Sequence, residues 1–156
     1  VTGVQTCALP ILGVNIESKP VHVLCEKSAA VTCLDWQRDR DHRAVLAVSS
    51  DDCTVHCWEV NHVPVIRGVL RTDKRQLMIT YCALETAGTR LFCGTMGGSV
   101  WHCQVTASDS TTSHVRPHFG SVEGLRAMSL PNLGITRVVT CASDLTVQIT
   151  DYPLGQ

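Results

Sequence analysis

The chain has 156 residues, a formal net charge of −1, a pI near 6.7 and 44% hydrophobic side chains. Without a basic excess it lacks the electrostatic footprint of a nucleic-acid binder, and no apolar run approaches the roughly 20 residues of a membrane-spanning helix. Seven His and nine Cys are present, yet no C-x-x-C, H-E-x-x-H or G-x-S-x-G spacing organises them.

The first eleven residues, from Val1 to Ile11, resemble the in-frame translation of a sequencing-library adapter and are set aside before any fold reasoning. A secretory leader is the weaker alternative, because a basic leading region and a long unbroken apolar core are both missing. On this reading the natural chain begins upstream of residue 12.

Residues 20–25 read as a leading outer strand. Residues 31–36 and 44–50 are short apolar runs separated by a polar, charged loop, Gln37-Arg38-Asp39-Arg40-Asp41-His42-Arg43. The second run is continuous, the pattern of a strand covered on both faces. Asp51-Asp52 supplies a tight turn, 54–60 a third strand and 64–70 an outer one. Pro64 is tolerated there because an edge strand can spare a donor. After Arg71-Thr72-Asp73-Lys74-Arg75 the grammar resumes with strands at 77–84, 90–95 and 99–105. Gly88 and the Gly97-Gly98 pair sit at its turns, where positive backbone angles cost glycine little. A Ser/Thr-rich loop at 106–112 precedes an outer strand around 114–116. Strands at 122–130, 135–141 and 146–152 follow, with Pro131-Asn132-Leu133-Gly134 as a turn.

Val55, Val100 and Val147 mark the same point of three copies, 45 and 47 residues apart. That is close to the roughly 40–45 residues of a four-stranded propeller blade. The segment from Ser49 to Glu59 also resembles the close of a WD repeat, S-x-x-D-x-T-V-x-x-W-E. The expected fold is therefore all-β, a β-propeller fragment of about three WD-repeat blades. Each would be a four-stranded antiparallel sheet, at 27–70, 71–117 and 118–156. A closed ring takes roughly four to eight blades, so further sequence is expected at both ends. The buried His–Ser/Thr–Asp–Trp hydrogen-bond set of such repeats is nowhere complete. The first copy keeps Ser50, Asp52 and Trp58 but has Lys27 near the His position. The second has Gly97 for Asp and Cys103 for Trp, with Trp101 two positions early. The third keeps His118 and Asp144 but has Thr150 for Trp. Trp58 is expected largely buried, and Cys33, Cys57, Cys93 and Cys141 are expected as buried free thiols.

Chemistry is not indicated. Asp51-Asp52 sits in a turn-forming D-x-T context, and the Gly94-to-Gly98 stretch is followed by a strand where a phosphate loop would open a helix. Cys53, Val55 and Cys57 share one side of an extended strand while His56 points away, which argues against a metal site. No catalytic residue, no metal, no cofactor and no small-molecule substrate are expected. The candidate interaction residues lie in two basic loops, Arg38, Arg40 and Arg43 in one and Arg71, Lys74 and Arg75 in the other. The first reading of both is a pair of solvated loops; the sharper one is that a face presents them to an acidic protein partner.

Several segments in 30–130 resemble the WD-repeat cilia- and flagella-associated proteins. They are Thr54-Val55 through Trp58-Glu59-Val60, Lys74 through Met78, Leu91 through Val100, and Val122 through Met128. The resemblance implies a non-enzymatic scaffold of the ciliary or flagellar axoneme, in the cytoplasmic cytoskeleton, contacting tubulin or other axonemal proteins. The alternative is a general cytosolic WD-repeat adaptor in a multiprotein complex, for example in ubiquitin ligation or ribosome assembly.

Overall fold

A computed structural model describes residues 24, 29–60, 64–72, 78–105 and 112–154. Local chemistry sets its strands. Valine-, isoleucine- and threonine-rich runs alternate between faces, and short polar turns reverse them. The first sheet is a meander of β1 (Val31–Arg38), β2 (Ala44–Ser50), β3 (Thr54–Glu59) and β4 (Val65–Arg71), in that order and antiparallel throughout. The second repeats it with β5 (Ile79–Leu84), β6 (Arg90–Thr95), β7 (Val100–Gln104) and β8 (Ser113–Val115). The third contains β9 (Val122–Leu130), β10 (Ile135–Ala142) and β11 (Val147–Pro153), three strands among the described residues. A single 3-10 turn, Pro131–Leu133, joins β9 to β10.

One turn design serves all three sheets between the second and third strands. Cys53, Gly98 and Leu145 each adopt a left-handed backbone, with φ of +66°, +82° and +65°. Each donates its N–H to the residue three back, Ser50, Thr95 and Ala142. In the first and third sheets an aspartate holds the turn: Asp52 Oδ1 accepts from Thr54 N–H at 3.0 Å and its hydroxyl at 2.5 Å, and Asp144 Oδ1 accepts from Thr146 at 3.1 and 2.7 Å. These are Asx turns, in which a short carboxylate satisfies backbone donors that the reversal leaves open. The second sheet has no aspartate there, and Thr95 takes over by accepting the Ser99 N–H at 3.2 Å.

The core lies in two layers, one on each side of the second sheet. Val45, Ala47, Val55, Cys57 and Leu70 meet Ile79, Cys82, Leu91, Cys93 and Trp101 in the first layer. Ala83, Phe92 and Val100 meet Val122, Leu125, Val138 and Tyr152 in the second. Consequently all six residues of β6 are buried, whereas β2 and β10 are sealed mainly on alternate positions. Polar cross-links reinforce both layers. Leu84 N–H donates to Asp35 Oδ2 at 2.8 Å, and the Thr80 hydroxyl donates to the Val122 carbonyl at 2.6 Å.

Several expectations need correction. The 44–50 strand is not covered on both faces, because among the described residues only one of its faces meets another sheet; Leu46 and Val48 stay half-buried. Trp58 pairs with Leu46 on that same outer face and is half-buried, with its indole N–H in a dry position lacking an acceptor among the described residues. Trp101, which shares the face of Cys103, is the buried indole instead and stacks on His114 at 4.2 Å. Cys57 and Cys93 are buried free thiols, but Cys33 is half-buried and Cys141 exposed on the outer face of the third sheet. Residues 1–11, most of 20–25 and Lys27 lie outside the described residues.

Candidate functional site

At one end of the sheets, the β1–β2 loop turns on Asp39. Its Oδ1 accepts the backbone N–H groups of Asp41 and Arg43, both at 2.9 Å, which shapes the reversal. Its Oδ2 then accepts the Arg43 Nε–H at 2.9 Å and lies 3.1 Å from an Arg67 guanidinium nitrogen. Arg67, from the edge strand β4, also reaches Glu59 at 2.6 and 2.8 Å, while Arg43 pairs with Asp41. Burial pushes the Asp39 carboxyl up, but the two backbone donors and the Arg43 guanidinium outweigh it and hold the group below the usual carboxylate range.

This network changes the meaning of the basic loop. Arg43 is neutralised by Asp39 and Asp41, so it is a structural cation. Arg38 donates to the His42 carbonyl at 3.0 Å, which bridges the loop. Arg40 is exposed and makes no ion pair among the described residues. It borders a cleft of about 250 Å³ whose other walls are Glu85, Thr89, Arg90, Gln104 and Leu154.

The floor of that cleft is ionic and rigid. Glu85 and Arg90 are 1% and 2% exposed. The Thr136 hydroxyl links them, donating to Glu85 Oε2 at 2.7 Å and accepting from Arg90 at 3.3 Å; Thr89 donates to the other Glu85 oxygen. Arg90 also borders a second cleft of about 210 Å³ with His102, Gln104, Ser113 and Tyr152. Burial, aided by the Arg90 charge, keeps the His102 imidazole below its ordinary value, and burial raises the Tyr152 hydroxyl to about 12. Both rings are therefore neutral near pH 7, leaving Arg40 and Arg90 as the cations beside these clefts.

Arg71 lies at the other end of the first sheet, paired with Thr54 while Arg38 pairs with Ala44. It is exposed, and Lys74 and Arg75 lie outside the described residues. Arg71 is thus not brought to the β1–β2 loop. Sequence reasoning missed Arg67, Glu85, Arg90 and Gln104. The alternating signs of residues 38–43 were a signal that part of that loop's charge is spent internally. No group of three His, Cys, Asp or Glu side chains among the described residues could hold a metal ion.

A second polar cluster is structural. His118 is buried, with Nε2 2.7 Å from the Thr140 hydroxyl and Nδ1 2.9 Å from Thr146 and 3.3 Å from Asp144. Asp144 Oδ2 also accepts the Phe119 N–H at 2.9 Å, and its carboxyl is held down to about 2, chiefly by the Thr146 hydroxyl and that N–H. This is the His–Thr–Asp part of the repeat's hydrogen-bond set, completed by Thr140. It fastens the chain entering β9 to the β10–β11 turn.

No family model and no curated protein matches the chain. Among solved structures it is similar to that of U3-55K, with a TM-score of 0.63 and 16% identity over 82% of this chain and 38% of the other. The crystal structure of RRP9 WD40 repeats gives 0.59 and 16%, over 82% of this chain and 37% of the other. A chain in the crystal structure of a mitotic checkpoint complex gives 0.63 and 18%, over 83% and 38%. The chain spans about two fifths of the length of each. At these identities the likeness is one of fold: the three sheets form part of a WD40 propeller.

Proposed function

We propose that the protein is a non-enzymatic WD-repeat scaffold whose β1–β2 end receives an acidic segment of a protein partner. The observation that carries this reading is Arg40: an exposed cation with no counter-ion among the described residues, at the lip of a cleft that the buried Arg90 also lines. A carboxylate at the lip meets the Arg40 guanidinium and the Gln104 amide, above a floor in which Thr136 links Arg90 to the buried Glu85. Arg38 adds exposed charge to the same loop, and complementary charge of this kind speeds encounter and sets salt dependence more than it adds affinity. Arg71 at the opposite end, with its sequence neighbours Lys74 and Arg75, is the second candidate contact.

The partner we favour is tubulin or another axonemal protein, and the location the ciliary or flagellar axoneme. This rests on the segments that resemble cilia- and flagella-associated protein 52, together with the acidity of tubulin surfaces. The general adaptor reading draws support from the fold likeness to a chain of a mitotic checkpoint complex. Microtubule co-sedimentation of the intact protein separates the possibilities when combined with localisation of the tagged protein in ciliated cells. Arg40→Glu with Arg38→Glu should weaken binding about tenfold or more at low salt, the gap narrowing as salt rises. Reversal of Arg71, Lys74 and Arg75 tests the other end. Unchanged binding after both reversals removes these loops from the interface. A diffuse or nuclear pattern in cells with intact cilia favours the adaptor.

A further inference from the structure

Five described thiols gather where the first sheet packs on the second: Cys33, Cys57, Cys82, Cys93 and Cys103. Two of them meet across the inter-sheet contact between β1 and β5, 49 residues apart in sequence. The Cys33 sulfur lies 3.6 Å from the Cys82 carbonyl oxygen, and the Cys82 sulfur lies 3.7 Å from the Cys33 carbonyl oxygen. The Cys82 sulfur also lies 3.9 Å from the Ala47 carbonyl oxygen, so it sits inside the seam between the two sheets. Each sulfur thus reaches the other residue's backbone, which brings the two thiols into one contact between facing strands, the close approach of residues that a disulfide needs.

We propose that Cys33 and Cys82 are a peroxide-oxidisable pair that forms an inter-blade disulfide, with Cys33 the attacking thiol and Cys82 the resolving one. Their environments divide these roles. Cys33 is half-buried, so a small hydroperoxide can reach it, whereas Cys82 is fully buried. The hydrogen bond from the Cys82 side chain lowers Cys33 to about 6 against the opposing effect of burial, with Arg126 helping and Asp35 hindering. The same bond and burial push Cys82 up, so the proton shared by the pair stays on Cys82 at neutral pH.

The chemistry balances with hydrogen peroxide as the oxidant. The Cys33 thiolate attacks one peroxide oxygen, the O–O bond breaks, and the departing hydroxide takes a proton to become water. The Cys33 sulfenic acid is left behind. The Cys82 sulfur then attacks the Cys33 sulfur, and the S–O bond breaks. The Cys82 proton leaves with the expelled hydroxide as a second water. Two thiols are oxidised by two electrons in all, and one peroxide is reduced to two waters. A dithiol reductant reverses the bond. Cys57, raised to about 12 by burial, and Cys93, raised by burial as well, stay unreactive beside the pair.

Peptide mapping of the intact protein under non-reducing conditions tests this. After brief treatment with sub-millimolar hydrogen peroxide, trypsin should release residues 28–38 linked to residues 76–90. Each of these peptides carries one cysteine. The link should dominate over every other cysteine oxidation product and vanish with dithiothreitol. In urea the same treatment should scatter oxidation among the thiols, because the fold creates the pairing. Iodoacetamide labelling of Cys33 against pH gives a second reading that needs no oxidation. Its inflection should lie well below that of an ordinary thiol and move upward in Cys82→Ala. The proposal is overturned if Cys33 accumulates as sulfinic acid without the link, if Cys53 or Cys141 is oxidised first, or if the link forms equally in urea.

Discussion

Glycine at position 98 gives the sharpest test of how the sheets are joined. Gly98 occupies the left-handed turn position of the second sheet, with φ of +82°. A Cβ built there would lie 2.2 Å from the His118 carbonyl oxygen and 2.9 Å from that of Gly120. Gly134 has a similar φ of +66°, yet a Cβ there meets nothing within 4 Å. Alanine at 134 should therefore cost only the left-handed backbone term, about 1–2 kcal/mol. Alanine at 98 carries the same term and must also push the 118–120 backbone away. That strains the His118 bonds to Thr140 and Thr146, each worth about 1 kcal/mol. The expected total is about 3–4 kcal/mol. Equilibrium urea unfolding of the intact protein should place Gly98→Ala about 2 kcal/mol below Gly134→Ala, or about 4–8 °C apart in thermal midpoint for a domain of this size. The reciprocal change, Leu145→Gly, removes left-handed strain from an exposed leucine and should be neutral or stabilising by up to about 1 kcal/mol. Equal losses for the two alanine variants would refute the claim that close backbone approach, and not φ alone, requires glycine at 98.

Two further predictions concern packing and acid. Phe92→Ala should cost about 3–5 kcal/mol by calorimetry, because the ring is fully buried between the second and third sheets and packs edge-on to Tyr152 at 5.2 Å. Trp58→Ala, at a half-buried site on an outer face, should cost less than half as much despite the larger ring. Lowering pH should destabilise the protein through Asp144, with Asp39 and Asp151 acting in the same direction. Their folded pKa values lie below the unfolded ones, so the unfolded chain takes up protons first; the contribution is full above about pH 4 and, for Asp144, is lost as pH falls through about 2. Unfolding midpoints between pH 5 and pH 2.5 should fall less steeply in Asp144→Asn than in the parent.

Strand positions and turns were legible because they depend on neighbours in sequence. Alternating apolar residues, Asp-x-Thr turns and the 45- and 47-residue recurrence act within a few residues, and the first six strands of the meander follow from them. The outer strand of the second sheet proved to be Ser113–Val115, one residue from the expected position. His118 and Asp144 were visible as repeat residues, since their places are set by the turn.

What the sequence could not determine was which faces are covered and which charges remain available. Trp58 and Trp101 both sit in third strands, yet one faces another sheet and the other does not. Cys33 and Cys141 occur in similar apolar runs, but only Cys33 is held against a neighbouring sheet. Asp39 and Asp41 stand beside Arg43 in sequence, so that pairing was legible in the alternating signs, but only the folded sheet adds Glu59 and brings in Arg67 from β4, and the cleft beside Arg40 exists only because β1–β2, β5–β6 and Leu154 converge. Strand formation is a local balance of propensity and turn geometry; burial and charge pairing depend on residues tens of positions away, so only the packed structure decides them.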